Sequence, residues 1–224
     1  AIEQLGQLGW SYIHGSELAP DSKERKSFRD VVLDKRLATA IKKINPWINE
    51  ENQQKTIRDL TILSQTSLIE ANHFLYKKIN ENMSIEQDVG KGRKGQTVKI
   101  IDFENLDNNE FLVVNQFKIS GPNDNIRPDL ILFVNGLPLA VIEAKSPYIT
   151  NPMEEGINQL RRYANLRNPT EQEGSERLFW YNQIMVSTCR DKALAGTISS
   201  PMAYYLSWHK FHEDSKKVFG HEPT

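Results

Sequence analysis

Two carboxylates and an ammonium group fall within one short apolar stretch: Asp129, Glu143 and Lys145, in RPDLILFVNGLPLAVIEAKSP, residues 127–147. Carboxylate oxygens are preferred ligands of a hard divalent cation such as magnesium. A lysine beside them can orient or help deprotonate an attacking water and offset charge on a phosphorane-like transition state. The chemistry that needs this set is metal-assisted phosphodiester hydrolysis. Spelled out, the pattern is Pro128-Asp129, a gap of 13 residues, then Glu143-x-Lys145. The same spacing arises in ordinary surface ion pairs, so the setting decides. Here the charges sit on runs of Leu, Val and Ile, where a charge is costly unless it is paired or binds a metal.

The elements that must position these groups can be read outward from them. The runs Asp129 to Val134 and Leu137 to Ala144 flank Asn135-Gly136, a strong local signal for an antiparallel β-hairpin. On the second strand Glu143 and Lys145 share a face and Ala144 points away. The spacing predicts a helix from about Met153 to Leu166, which follows the hairpin and must pack back over it. Gln159 and Tyr163, at i and i+4, share one face of that helix and come near the acids, unless they are simply a surface hydrogen-bonding pair. Arg161 and Arg162 are candidate phosphate contacts.

Further strands are expected at Thr97 to Phe103, Phe111 to Ile119 and Gln183 to Ser187, with polar turns ENLDNN and SGPNDN between the first of them. Upstream, Asp21-Ser22-Lys23-Glu24 offers a cap for a basic helix running to Ile44, where Asn45-Pro46 stops it, and its charges read as a solvated face. A second helix is expected over Glu51 to Glu81, with Ser64 to Ser67 as a candidate interruption. Glu70 and Asn72 lie within it; Glu70 is either an exposed helix glutamate or a further carboxylate reaching the metal. The order gives an α/β fold: a mixed, largely antiparallel central sheet flanked by helices, with an N-terminal helical part over 1–82, a core over 83–200 and a tail over 201–224.

Several classes are excluded. With 28 Lys and Arg against 29 Asp and Glu, the net charge is -1, so no global field draws the chain to nucleic acid and any affinity must be local. One cysteine, Cys189, rules out an internal disulfide framework and a four-cysteine zinc site, and reads as a small buried side chain. GKGRKGQT, residues 90–97, nearly matches a phosphate-binding loop, but Gln96 replaces the lysine and a strand follows, so it is read as a basic turn. His209 and His212 lack a third ligand nearby and make a weak metal signal. No apolar run reaches membrane-span length and no leader is evident, so a cytoplasmic chain without membrane partners is expected.

Taken together with GWSYIHG, RKSFRDVVLDKRLATAIKKINP, VKIIDFENLDNNEFLVVNQF, the Q-x-x-x-Y element from Gln159 to Tyr163 and YNQIMVST, the central stretch resembles the N-terminal nuclease region of the endonuclease (R) subunit of type I restriction enzymes, within the PD-(D/E)xK nuclease superfamily. The likeness covers nearly the whole chain. It implies a restriction-endonuclease-like core and a magnesium-dependent endonuclease acting on double-stranded DNA, with manganese as a substitute. Carried over, Asp129 and Glu143 hold the metal with the Ala144 carbonyl as an extra ligand, and Lys145 serves the attacking water. Gln159 and Tyr163 engage DNA or support the site, as do Arg127, Arg161 and Arg162. Glu70 is added on the general superfamily pattern of a helix glutamate joining the site. Whole subunits of this family also carry an ATP-driven DNA translocase and assemble with modification and specificity subunits. This chain has no lysine-containing Walker A loop, so ATP, which the full subunit requires, is not expected to bind here. The competing expectation is a catalytically silent DNA-docking or assembly module. The intact acid-acid-lysine set speaks against it, because a silent copy has no chemical reason to keep three costly charges on apolar strands.

Overall fold

The computed structural model describes residues 1–88, 90 and 92–207; Trp208, His209, His212 and His221 lie outside them. In chain order the helices are α1 (Ile2–Gln7), α2 (Asp34–Ile44), α3 (Glu50–Thr61), α4 (Leu68–Asn80), α5 (Pro152–Tyr163) and α6 (Glu176–Tyr181). The strands are β1 (Ser11–His14), β2 (Met83–Asp88), β3 (Arg93–Val98), β4 (Phe111–Asn115), β5 (Ile119–Ser120), β6 (Asn125–Ile126), β7 (Leu130–Val134), β8 (Leu137–Ala144), β9 (Ile184–Cys189), β10 (Lys192–Gly196) and β11 (Leu206–Ser207). Among the described residues, seven strands form one mixed sheet in the order β1-β4-β7-β8-β9-β10-β11. The pairs β1/β4 and β8/β9 are parallel and the other four antiparallel. This is the mixed, mostly antiparallel α/β arrangement expected, consistent with a restriction-endonuclease-like fold.

The β7/β8 hairpin forms as the sequence predicts. Asn135 and Gly136 have φ of 53° and 80°, the two positive values that a tight primed hairpin turn requires. Asn135 does more than turn the chain. Fully buried, it donates to Ile100 O and Asn109 Oδ1 and accepts from Glu110 N. Gly136 is pinned from the other side, since a Cβ there would lie 2.6 Å from Leu33 O. The pairing shifts register between Leu132 and Phe133, leaving Leu139 as the extra residue of a bulge. Helices and sheet share one apolar cluster that includes Leu37, Leu60, Leu75, Phe133, Val141, Ile157 and Met185.

The structure departs from the expected boundaries in physically legible ways. No continuous helix runs from Asp21 to Ile44. A 3-10 turn at Pro20–Ser22 ends on Lys23 with φ of 65°, and α2 begins only at Asp34. Between them, buried Arg25 donates to Leu18 O, Asp30 O and Lys118 O, and Asp30 Oδ2 accepts from Lys26 N and Ser27 N. These bonds hold a looped path that periodicity could not reveal. The second long helix does break at the Ser64 to Ser67 stretch, with Asn49 capping α3 and Ser67 capping α4. The strand expected over Thr97 to Phe103 is instead the end of the β2/β3 hairpin, which stands outside the main sheet, and Arg93 to Thr97, read as part of a basic turn, are already strand. Phe111 to Ile119 stops as a strand at Asn115, because Gln116 takes φ of 54°. Strands β1, β2, β6, β10 and β11 lie outside the expected ones. Cys189 is buried, as expected. Among the described residues no helix is long and apolar enough to cross a membrane.

Candidate active site

The strand ends opposite the Asn135-Gly136 turn converge on one spot. Antiparallel pairing brings together the end of β4, the start of β7 and the end of β8, while parallel pairing sets Glu143 beside Ser187 of β9. Asp129 immediately precedes β7, Glu143 is the penultimate residue of β8, and Lys145 follows it. Lys145 N donates to Thr188 O at 2.8 Å, which keeps the chain in sheet register one residue beyond the strand.

Glu143 is 1% exposed. Its Oε1 accepts from Lys145 Nζ at 3.1 Å, whereas its buried Oε2 has no hydrogen-bond partner among the described residues. Burial pushes its carboxyl up to about 7, the neighbouring Asp129 carboxylate adds to this, and Lys145 opposes it. Asp129 is half-buried and doubly held: Oδ1 accepts from Gln116 Nε2 at 3.2 Å and Oδ2 from Ala144 N at 2.9 Å. Lys145 Nζ also donates to Gln159 Oε1, so two of its three N–H groups are fixed. The Gln159 amide nitrogen donates to Tyr163 Oη, and Tyr163 Oη donates to Arg127 O at 3.4 Å. Burial chiefly, and Glu143 next, raise the Tyr163 hydroxyl above its ordinary range.

Helix α5 reaches this network because Gly156 lets it lie against β9. A Cβ at Gly156 would stand 2.1 Å from Ser187 Oγ, which donates to Met153 O at 2.9 Å. The helix buries Ile157, Leu160 and Tyr163 against the core and turns Gln159 towards Lys145.

The structure therefore links Glu143, Lys145, Gln159 and Tyr163 in one run of side-chain hydrogen bonds, sets Asp129 beside it through the bond to Ala144 N, and leaves others outside. Glu70 is exposed in the first turn of α4, where its carboxylate accepts from Thr66 Oγ1 at 3.3 Å and its N–H donates to the Ser67 cap. The helix is oriented by Leu68, Ala71, Leu75 and Ile79, and by Asn72, which donates to the carbonyls of Phe179, Trp180 and Asn182. That rotation keeps Glu70 away from the sheet end, and among the described residues no third His, Cys, Asp or Glu joins the carboxylate pair. Arg161 is engaged structurally, donating to Leu166 O at 2.7 Å and Ser200 O at 3.2 Å. Arg162 lies over the Tyr163 ring at 5.0 Å, and Arg127 is exposed beside the pair with its carbonyl bound to Tyr163. Gln116 escaped sequence reasoning: it carries no charge and sits in what read as the middle of a strand.

Two carboxylates with an orphaned buried oxygen, and an ammonium held beside them, fit a hard cation by the chemistry of the donors. Asp129 and Glu143 would hold it, with the Ala144 carbonyl available from the exposed residue between Glu143 and Lys145.

A family model described as type I restriction enzyme R protein N terminus matches residues 1–201. A Methanocaldococcus jannaschii protein named as the MjaIXP endonuclease subunit of a type I restriction enzyme is 34% identical over 217 residues, covering 96% of this chain and 20% of its own. The HindI type I restriction enzyme endonuclease subunit of Haemophilus influenzae is 29% identical over 220 residues, covering 97% of this chain and 20% of its own. The chain thus spans a fifth of the length of these curated relatives.

Proposed function

The chain belongs to the N-terminal region of the R protein of type I restriction enzymes, and from that premise we propose that it is the DNA-cleaving part of such a subunit, hydrolysing phosphodiester bonds of double-stranded DNA with magnesium. The observation that carries this reading is Glu143: a buried carboxylate with one oxygen on Lys145 and the other without a partner among the described residues. Keeping such a group on an apolar strand destabilises the chain, and metal binding offsets that cost.

Asp129 and Glu143 are the residues that would hold the cation, assisted by the Ala144 carbonyl. When bound, the cation would polarise a phosphoryl oxygen and make water a stronger nucleophile. Lys145 is held as an ammonium between Glu143 and Gln159, and its third N–H is the donor for the attacking water or a phosphate oxygen. Gln159 fixes the ammonium and Tyr163 fixes Gln159, so the pair supports the site from behind. Arg127 and Arg162 remain candidates for phosphate contact. Glu70 has no part in this proposal.

The full subunit would add an ATP-driven motor and work in the cytoplasm with modification and specificity subunits, cleaving after translocation. The test is the intact R subunit in its complex, carrying Asp129→Ala or Lys145→Ala. Cleavage should be lost while ATP hydrolysis persists. Normal cleavage by either variant would remove the site from the reaction and favour the silent docking module.

A further inference from the structure

Gln116 is the unassigned residue that touches the site most directly, and it does so twice. Its Nε2 donates to Asp129 Oδ1 and its N–H donates to Asp129 O, both at 3.2 Å. Because a carboxylate only accepts, the amide must present its NH2 to it. With Ala144 N on Oδ2, each oxygen of Asp129 is held from a different strand end, β4 on one side and β8 on the other.

Gln116 reaches this position through an unfavourable backbone state, φ of 54°, that side chains larger than glycine adopt only when surroundings impose it. The surroundings here are the amino-terminal strand. β1 runs parallel to β4 with His14 opposite Asn115, and Tyr12 Oη donates to Asn115 Oδ1 at 3.0 Å. Buried Gly15 then lies flat on the next peptide, where a Cβ would be 2.6 Å from Gln116 O and 2.7 Å from Asn115 O. The GWSYIHG segment thus has a task that its composition does not announce: it shapes the turn that aims Gln116.

Resting on the nuclease reading above, we infer that Gln116 is a positioning residue for Asp129, holding the carboxylate in the orientation in which it takes the metal, and that Gly15 makes this possible by its lack of a side chain. Partners that orient a metal-binding carboxylate typically matter about 10- to 100-fold in metal affinity.

The experiment is Mn2+ titration of the whole chain by calorimetry, comparing wild type, Gln116→Ala, Gln116→Met and Asp129→Ala, with thermal midpoints measured on the same samples without metal. The expected result is Mn2+ affinity reduced about tenfold in both Gln116 variants, and further in Asp129→Ala, at nearly unchanged midpoints. The Met side chain fills the same space without the donor. Wild-type affinity in Gln116→Met with a loss in Gln116→Ala would make the role one of packing and overturn the inference. Equal affinity in wild type and both Gln116 variants would also overturn it, while leaving the nuclease reading in place. A wild-type chain that takes no Mn2+ would overturn both.

Discussion

Glu143→Gln is expected to stabilise the metal-free chain at neutral pH. In the folded chain the carboxyl is raised from 4.5 to about 7, chiefly by burial. Between those values the folded state keeps a proton that the unfolded state has released. Stability therefore falls with rising pH at about 1.4 kcal/mol per pH unit, about 3 kcal/mol across the window. This stability is fully present below the unfolded value and is lost as pH rises through the folded one. Gln keeps the shape and an acceptor for Lys145 and cannot ionise, so it escapes the loss. For a chain of this size about 3 kcal/mol corresponds to roughly 6–12 °C in thermal midpoint. The assay is calorimetric melting of both proteins in a chelator between pH 5 and 8.5. Groups away from this cluster cancel between the two, so the difference reports Glu143 with its coupling to Asp129 and Lys145: small at pH 5, rising to a plateau above pH 7. Excess Mn2+ at pH 8 should stabilise wild type far more than the variant. A difference that is zero, or the same at pH 5 and pH 8, would refute the claim that a desolvated carboxylate is being held in reserve.

Gly156→Ala should destabilise the chain by about 1–3 kcal/mol, because its Cβ would meet Ser187 Oγ at 2.1 Å and Ser187 Cβ at 3.0 Å. Adding Ser187→Ala should recover part of that in denaturant melts; no recovery would mean the close approach of α5 to β9 is not what limits this position. Arg25→Ala should cost about 3–5 kcal/mol, since three backbone carbonyls lose one buried donor and the Phe117 ring loses the guanidinium 3.9 Å from its centre. Arg25→Lys should not rescue it, because a compact ammonium cannot span three carbonyls; near-normal melting of Arg25→Ala would show that the looped path through 23–33 holds itself.

The hairpin and the group on it were legible in the sequence for one reason: charge on apolar strands around Asn-Gly is a local contradiction, and local contradictions mark sites. Gln159 and Tyr163 were legible through helical spacing. What stayed hidden depends on contacts between distant segments. Arg25 looks like one of many basic residues in a helix until three carbonyls from 18, 30 and 118 close on it. Strand β2 alternates correctly, but its third inward residue is Gln87, bound to Trp47 O and Asn49 N, and an inward glutamine spoils the pattern. Strand β1 is four residues long and mostly exposed, and Ile13, its one aliphatic residue, is too little to announce it. Glu70 was drawn towards the metal by its place within an amphipathic helix, yet residues on a helix two positions apart face different ways, and the core took the face of Leu68 and Ala71. Gln116 left no signal because neither its amide nor its backbone turn has meaning until Gly15 and Asp129 are beside it.

The most direct test of the central claim is anomalous diffraction from a crystal of this chain soaked in Mn2+. One peak is expected at about 2–2.4 Å from oxygens of both Asp129 and Glu143, the range of hard-cation coordination, with Lys145 Nζ nearby and Glu143 Oε2 now satisfied. Carboxylates that keep their present hydrogen bonds with no peak between them, at Mn2+ concentrations that saturate ordinary nucleases, would contradict it.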